Sequence, residues 1–278
     1  MNFGDVMKHG SLFSGIGGFD LAATWMGWEN IFQCEKDVFC QRILRFYWPK
    51  ARMYENIKEF DATVYQGAID VLSGGFPCQS FSVAGKRKGI ADDRYLWPEM
   101  CRIVNEVRPR WVVGENVCGF LNWGEGLVFE QVQADLEAAG YEVWTYVLPA
   151  CGVGAVHRRN RVWIVAHATG VPGGTPPTGW KKYFEERQKD RIDAVANGKG
   201  KLATGAPGRF EWRDPWADFP TEPAICAGDD GFSSRLDGIA FSEWRAGSLR
   251  GAGNAIVPQV ALQLFKAIER VDKILGYG

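Results

Sequence analysis

Short apolar runs alternate with segments of helical periodicity over the first 166 residues of the chain. The apolar runs predict strands at 10–13, 30–34, 69–73, 111–113, 141–148 and 161–166, and the periodic segments predict helices at 19–25, 38–48 and 126–139. Repeated alternation of strand and helix is typical of a mostly parallel sheet that helices cover on both faces. We therefore expect an α/β fold.

The pattern changes after residue 167. Residues 171–179 are rich in proline and glycine, glycines and tryptophans are scattered without period over 198–234, and helical spacing returns at 256–275. Proline and glycine clusters resist regular structure. We expect a large domain over 1–166, a smaller loop-rich lobe over 167–246, and a C-terminal segment, 247–278, that returns to the large domain.

Composition narrows the class of protein. Charged residues make up 23% and hydrophobic residues 46% of the chain, which is ordinary globular usage. No apolar run reaches the roughly 18 residues of a membrane span, so we expect no membrane partner. The first residues lack the apolar core of a secretory signal. The seven cysteines include no Cys-x-x-Cys pair, which favours a reduced, cytoplasmic setting and argues against a disulfide framework or a metal site. With a net charge of -1, any attraction to phosphates must come from local clusters.

A glycine-rich turn, Phe13–Gly18, follows the first predicted strand and opens a helix. Glycines there let the backbone approach a ligand closely, and the helix start offers free N–H groups. Glu35 follows the second strand, where a carboxylate can accept hydrogen bonds from both ribose hydroxyls of an adenosine cofactor. The alternative is a tight turn beside a surface glutamate.

Cys78 lies in the segment 74–82, at the carboxyl end of the third predicted strand. Ligands of open α/β sheets bind at that edge. Pro77 fixes the backbone before the cysteine, whose thiolate would be a nucleophile if nearby positive charge lowered its pKa. Lone cysteines are more often small buried hydrophobes, and that interpretation suits the other six better than Cys78.

Three further segments carry candidate chemistry. Glu115 follows an apolar run, so burial would raise its pKa, but for this residue taken alone a capping or solvated glutamate is the favoured interpretation. Arg159 and Arg161 alternate with Asn160 and would share one face of an extended segment; the alternative is a solvated basic turn. The segment 251–259 is a glycine turn that enters a helix.

These five segments, in this order, resemble the DNA cytosine-5 methyltransferase family over about 8–166 and 247–275. The resemblance implies a Rossmann-like fold that uses S-adenosyl-L-methionine, with a mostly parallel sheet in a catalytic and cofactor-binding domain. The smaller loop-rich lobe would recognise the target, and double-stranded DNA would lie in the cleft.

The resemblance also implies site residues. The cofactor would be held by Phe13, Ser14, Gly15, Gly17, Gly18, Glu35, Asn56, Ile57, Pro77, Asn254 and Ala255. The family usually has an acidic residue where Asn56 stands, but an amide oxygen can also accept a hydrogen bond from the adenine amine. Contacts to DNA would come from Gln79, Ser80, Lys86, Arg87 and Lys88.

The implied reaction takes place on a cytosine flipped out of the duplex. The Cys78 thiolate would add to ring carbon 6, and Glu115 would hydrogen-bond ring nitrogen 3 and the exocyclic amine. Arg161 would bind the carbonyl oxygen of the base, while Arg159 would help to keep the site positive. His157 departs from the glutamine common in the family. We expect a cytoplasmic monomer, with a cognate restriction endonuclease acting separately.

Two other functions are compatible with parts of this pattern. The same chemistry could act on tRNA, but the tRNA-directed relatives carry a Cys-Phe-Thr signature that this chain lacks. A non-catalytic, methyltransferase-like DNA-binding module could lose its nucleophile or its cofactor turn, and both are present here. A nicotinamide-dependent dehydrogenase, suggested by the glycine turn alone, would not explain the segment Pro77-Cys78-Gln79.

Overall fold

A computed structural model describes residues 6–77, 96–170, 247 and 251–277 of the chain. Its strands are β1 (Lys8–Leu12), β2 (Glu29–Cys34), β3 (Arg52–Tyr54), β4 (Val71–Gly74), β5 (Trp111–Val117), β6 (Tyr141–Leu148) and β7 (Arg161–Ala168). Its helices are α1 (Gly18–Trp25), α2 (Val38–Tyr47), α3 (Trp97–Val107), α4 (Leu127–Ala138) and α5 (Pro258–Leu275). Short 3-10 turns lie at Thr63–Tyr65, Cys118–Gly126 and Ala150–Val153. The predicted lobe over 167–246 lies almost entirely outside the described residues.

The seven strands form one sheet in the order β3-β2-β1-β4-β5-β7-β6. The pairs from β3 to β5 are all parallel, whereas β7 runs antiparallel to both β5 and β6. The expectation of a mostly parallel α/β sheet is therefore confirmed. Two elements were not expected, the short strand β3 and the helix α3. The helix α3 could have been predicted from the sequence, because its buried residues follow helical spacing and a proline lies in its first turn.

Apolar side chains cover both faces of the sheet. One face packs against α3 and α4 around Trp97, Met100 and Leu136, all of which are buried. The other packs against α1 and α5 through Phe19 and Phe265, whose rings stack with centroids 6.3 Å apart. The C-terminal helix thus closes a core that begins with the first helix of the chain.

Parallel pairing brings four strand ends to one edge. Leu12 at the end of β1 pairs with Cys34 of β2 and with Gly74 of β4, and Gly74 in turn pairs with Gly114 of β5. The segments that follow these strands therefore meet at the carboxyl edge of the sheet. Among the described helices, none is long and apolar enough to cross a bilayer.

An ion-pair cluster ties α5 to the opposite edge. Arg110, just before β5, donates to Asp272 of α5 at 2.6 Å and to Asp70 at 2.7 Å. The Trp111 indole donates to the second oxygen of Asp272 at 2.9 Å, and the ring of Tyr277 lies 4.8 Å from the Arg110 guanidinium. Burial raises the pKa of Asp272, so its charged form depends on these donors.

Substitution Arg110→Ala is expected to lower the free energy of unfolding by about 3 kcal/mol, because it leaves a buried carboxylate without its cation. Chemical denaturation measures this loss. The matched control is Lys273→Ala, which removes an exposed pair with Glu269 and should cost less than about 1 kcal/mol. Equal losses in the two variants would contradict the anchoring role of Arg110.

Candidate active site

The turn between β1 and α1 has an unusual backbone. Phe13, Gly15 and Gly17 have φ angles of 51°, 56° and 86°, in the left-handed region. A β-carbon at Gly17 would collide with the ring of Trp48, so glycine is required there for space as well as for conformation. A β-carbon at Gly15, in contrast, would meet nothing within 4 Å. The turn therefore has open space beside Gly15.

Glu35 fixes this turn to the end of β2. One carboxylate oxygen accepts the Gly15 N–H at 2.7 Å, and the other accepts the Asp37 N–H at 2.7 Å. Asp37 then caps α2 by accepting from the Phe39 and Cys40 N–H groups. A carboxylate has about four lone-pair sites, so Glu35 can accept further hydrogen bonds from a ligand. The ligand-binding role of Glu35 stays a prediction, and the sequence did not reveal its contact with Gly15.

A layer of buried polar side chains from β1, β2 and α1 supports the turn. The Ser14 hydroxyl lies 2.6 Å from that of Ser11, and Ser11 donates to both oxygens of Asp20 at 3.0 and 3.1 Å. Gln33 donates to the same carboxyl group at 2.9 Å. Asp20 is fully buried, which raises its pKa, and its polar partners oppose that shift. Sequence reasoning missed Asp20; the available signal was polar Ser11 and Gln33 within otherwise apolar strands.

Asn56 begins a tight turn after β3. The side-chain oxygen of Asn56 accepts the Lys58 N–H at 3.1 Å, and its amide group donates to Glu59. Ile57 is buried, and its carbonyl oxygen accepts from Arg102 at 2.7 Å. Asn56 thus stabilises the turn itself, and its oxygen keeps one lone pair for a ligand.

The segment after β4 is described only as far as Pro77. Phe76 is buried, and its carbonyl oxygen accepts a hydrogen bond from Asn116 of β5 at 3.2 Å. This contact fixes the backbone one residue before Pro77, at the carboxyl edge of the sheet. The remaining predicted residues of this region lie outside the described residues: Cys78, Gln79, Ser80, Lys86, Arg87 and Lys88.

Glu115 is buried within β5 rather than following the strand. A β-carbon on Gly75 would lie 3.3 Å from its Oε2, so the end of β4 passes directly beside the carboxyl group. Burial raises the pKa of Glu115 to about 7, although Arg161 and Arg159 both oppose the shift. The Glu115 side chain is therefore neither a helix cap nor a solvated surface residue. Both of its protonation states are populated near neutral pH.

The two arginines approach Glu115 from the start of β7. Arg161 forms an ion pair with it at 3.0 Å, because the antiparallel register pairs Arg161 with Val117. Arg159 lies outside the strand with a φ of 35°, so the expected extended segment does not include it. Its guanidinium donates to the carbonyl oxygens of Gly253 and Ala255 in the C-terminal segment at 2.8 Å each.

The C-terminal segment packs against the glycine-rich turn. A β-carbon on Gly18 would lie 2.5 Å from Ile256, and one on Gly251 would lie 2.9 Å from Ile16. Asn254 is exposed and Ala255 is half-buried. The predicted residues of both ends of the chain are thus brought to one edge, with Glu115 and Arg161 beside them.

The chain is similar in sequence to proteins of known family. The family model for C-5 cytosine-specific DNA methylase matches residues 7–203. The Type II methyltransferase M.HgiCII of Herpetosiphon aurantiacus is 31% identical over 64% of this chain and 40% of its own length. The Type II methyltransferase M.AquIA of Picosynechococcus is 37% identical over 58% of this chain and 71% of its own. M.HhaI of Haemophilus parahaemolyticus is 32% identical over 55% and 47%, respectively. The aligned segment is therefore less than half of two of these relatives.

Solved structures share the fold. The DNMT2 of Spodoptera frugiperda superposes with a TM-score of 0.51 at 22% identity, over 60% of this chain and 51% of that one. The S. pombe Dnmt2 methyltransferase superposes with a TM-score of 0.50 at 19% identity, over 74% and 58%. The match of the family model extends over more than half of the chain, from β1 through β7. The chain therefore belongs to the C-5 cytosine-specific DNA methylase family.

Proposed function

We propose that this protein transfers a methyl group from S-adenosyl-L-methionine to carbon 5 of cytosine in double-stranded DNA. The observation that carries the proposal is the buried Glu115, with a pKa of about 7, beside Arg161 and next to the strand end that leads to Cys78. A carboxyl group that shares its proton near neutral pH and faces a fixed cation suits a base that must gain electron density on its ring.

The turn fits an adenosyl cofactor. Space is open at Gly15, and Glu35 keeps acceptor capacity for a ribose diol. The adenine would contact Asn56 and Ile57. The turn around the cofactor would be formed by Phe13, Ser14, Gly17 and Gly18. The pocket would be closed by Pro77, Asn254 and Ala255. When bound, the cofactor supplies an electrophilic methyl group.

The protein's own residues perform the remaining steps. The Cys78 thiolate forms a bond to carbon 6 of the flipped cytosine, and Glu115 stabilises the electron density that moves onto ring nitrogen 3 by sharing its proton. Arg161 holds the carbonyl oxygen of the base, and Arg159 keeps the surroundings positive. Once carbon 5 carries the methyl group, a water molecule would take the carbon 5 proton, and the electron pair of that bond would restore the double bond and expel the Cys78 thiolate. Gln79, Ser80, Lys86, Arg87 and Lys88 would contact the DNA.

The cellular setting follows from the substrate. An enzyme that methylates bacterial or phage DNA works in the cytoplasm. The relatives are named Type II methyltransferases, which suits a restriction-modification system. We propose that the protein acts as a monomer, separately from any cognate endonuclease. Residues 167–246 would read the target sequence.

Expression in a methylation-deficient bacterial host should leave conversion-resistant cytosines at one short sequence, as measured by bisulfite sequencing. The Cys78→Ser variant should leave none, because a hydroxyl adds to the ring far less readily than a thiolate. Purified protein should also transfer labelled methyl groups to duplex DNA and not to tRNA. Transfer to tRNA alone, or to neither polymer by folded protein, would overturn the proposal.

Substitution Glu115→Gln should slow methyl transfer by roughly 100-fold or more, because it removes a group that stabilises charge in the transition state. The wild-type carboxyl is protonated below a pKa of about 7 and ionised above it. The donor form is thus lost as pH rises, so the ratio of wild-type to variant rate should be largest near pH 6 and should shrink above pH 7. Rates measured from pH 5.5 to 9 on one duplex test this; a ratio that grows with pH would contradict it.

A further inference from the structure

The Arg159 guanidinium joins two regions that are remote in the sequence. It donates to the carbonyl oxygens of Gly253 and Ala255, which lie 94 and 96 residues further along the chain. The same guanidinium and that of Arg161 both act electrostatically on Glu115. Arg159 therefore contacts the segment that flanks the glycine-rich turn and also contributes to the field around the buried carboxyl group.

The backbone at Arg159 has an uncommon conformation. Its φ of 35° is uncommon for a residue with a side chain, and such a conformation persists only where surrounding interactions hold it. Two charge-assisted hydrogen bonds from one planar guanidinium are strong and directional. The rest of the link is apolar, because Ile256 packs against Gly18 and Gly251 packs against Ile16.

We infer that Arg159 is a positioning residue that holds the segment 253–255 over the cofactor turn, in addition to its charge at the base-binding site. The inference rests on the proposed function and deepens it. Asn254 lies between the two carbonyl groups that Arg159 binds, so its backbone position is set by this guanidinium. The Arg159 side chain then both holds one wall of the cofactor pocket in place and contributes positive charge beside Glu115.

Arg161 provides the matched comparison. It lies two residues away, carries the same charge and pairs with Glu115 at 3.0 Å, but its other hydrogen bond goes to the carbonyl oxygen of its neighbour Asn160. A purely electrostatic role for Arg159 predicts that neither Arg159→Gln nor Arg161→Gln changes affinity for the cofactor product. The positioning role predicts that only the Arg159 variant does so.

Isothermal titration with S-adenosylhomocysteine, without DNA, measures this difference. Arg159→Gln should bind at least about tenfold more weakly than the wild type, since two hydrogen bonds from a charged donor are lost. Arg159→Lys should be intermediate, because an ammonium group keeps the charge but ends one bond short of the Nη2 atom that donates both hydrogen bonds. Arg161→Gln should lie within twofold of the wild type. Hydrogen exchange without ligand should show faster exchange over 251–257 in Arg159→Gln and unchanged exchange in Arg161→Gln.

The outcomes separate the two proposals. Wild-type affinity and exchange in a folded Arg159→Gln protein, or equal weakening in both glutamine variants, would overturn the positioning role and leave the proposed function intact. Absence of S-adenosylhomocysteine binding by the folded wild-type protein would overturn the proposed function itself. Circular dichroism and thermal unfolding of each variant establish that it is folded.

Discussion

A carboxylate buried within a β-strand is unfavourable unless a cation lies beside it, and the pair of Glu115 and Arg161 meets this condition. Burial raises the pKa of Glu115 to about 7, and the guanidinium at 3.0 Å limits that rise. The balance depends on a low local dielectric and on fixed geometry. The neighbouring elements maintain that geometry: Gly75 leaves room for the carboxyl group, and Asn116 holds the carbonyl of Phe76.

The antiparallel strand β7 makes the pair possible. In a parallel sheet the amino end of every strand lies at the edge opposite the ligand site. Because β7 runs in the other direction, its first residue, Arg161, meets Val117 at the last position of β5. Arg161, at the start of β7, and Glu115, near the end of β5, thus lie at the same edge of the sheet. A uniformly parallel sheet would have separated them by the length of the strand.

The cofactor turn depends on support from several elements. Positive φ angles at Phe13, Gly15 and Gly17 are held by Glu35 from one side and by the hydroxyl of Ser14 from below. Asp20 anchors that hydroxyl layer from α1, and the C-terminal segment packs against the turn from outside. A turn with this backbone is preorganised, so less conformational freedom is lost when a ligand binds.

The sequence alone was sufficient for the alternation of strands and helices, for the glycine-rich turn and for the acidic residue that follows β2, because these depend on local spacing and on backbone chemistry. It left α3 and β3 unpredicted, and it favoured a capping or solvated interpretation of Glu115. Whether that carboxyl group is buried depends on β4 and β7, which are remote in the sequence. The Gly253 carbonyl group that Arg159 binds lies 94 residues further along the chain, so this contact could not be predicted from the sequence either. Local pattern therefore determined which elements form and which residue types carry chemistry. Only the tertiary structure decided their protonation, pairing and neighbours, because these arise from contacts between distant segments of the chain.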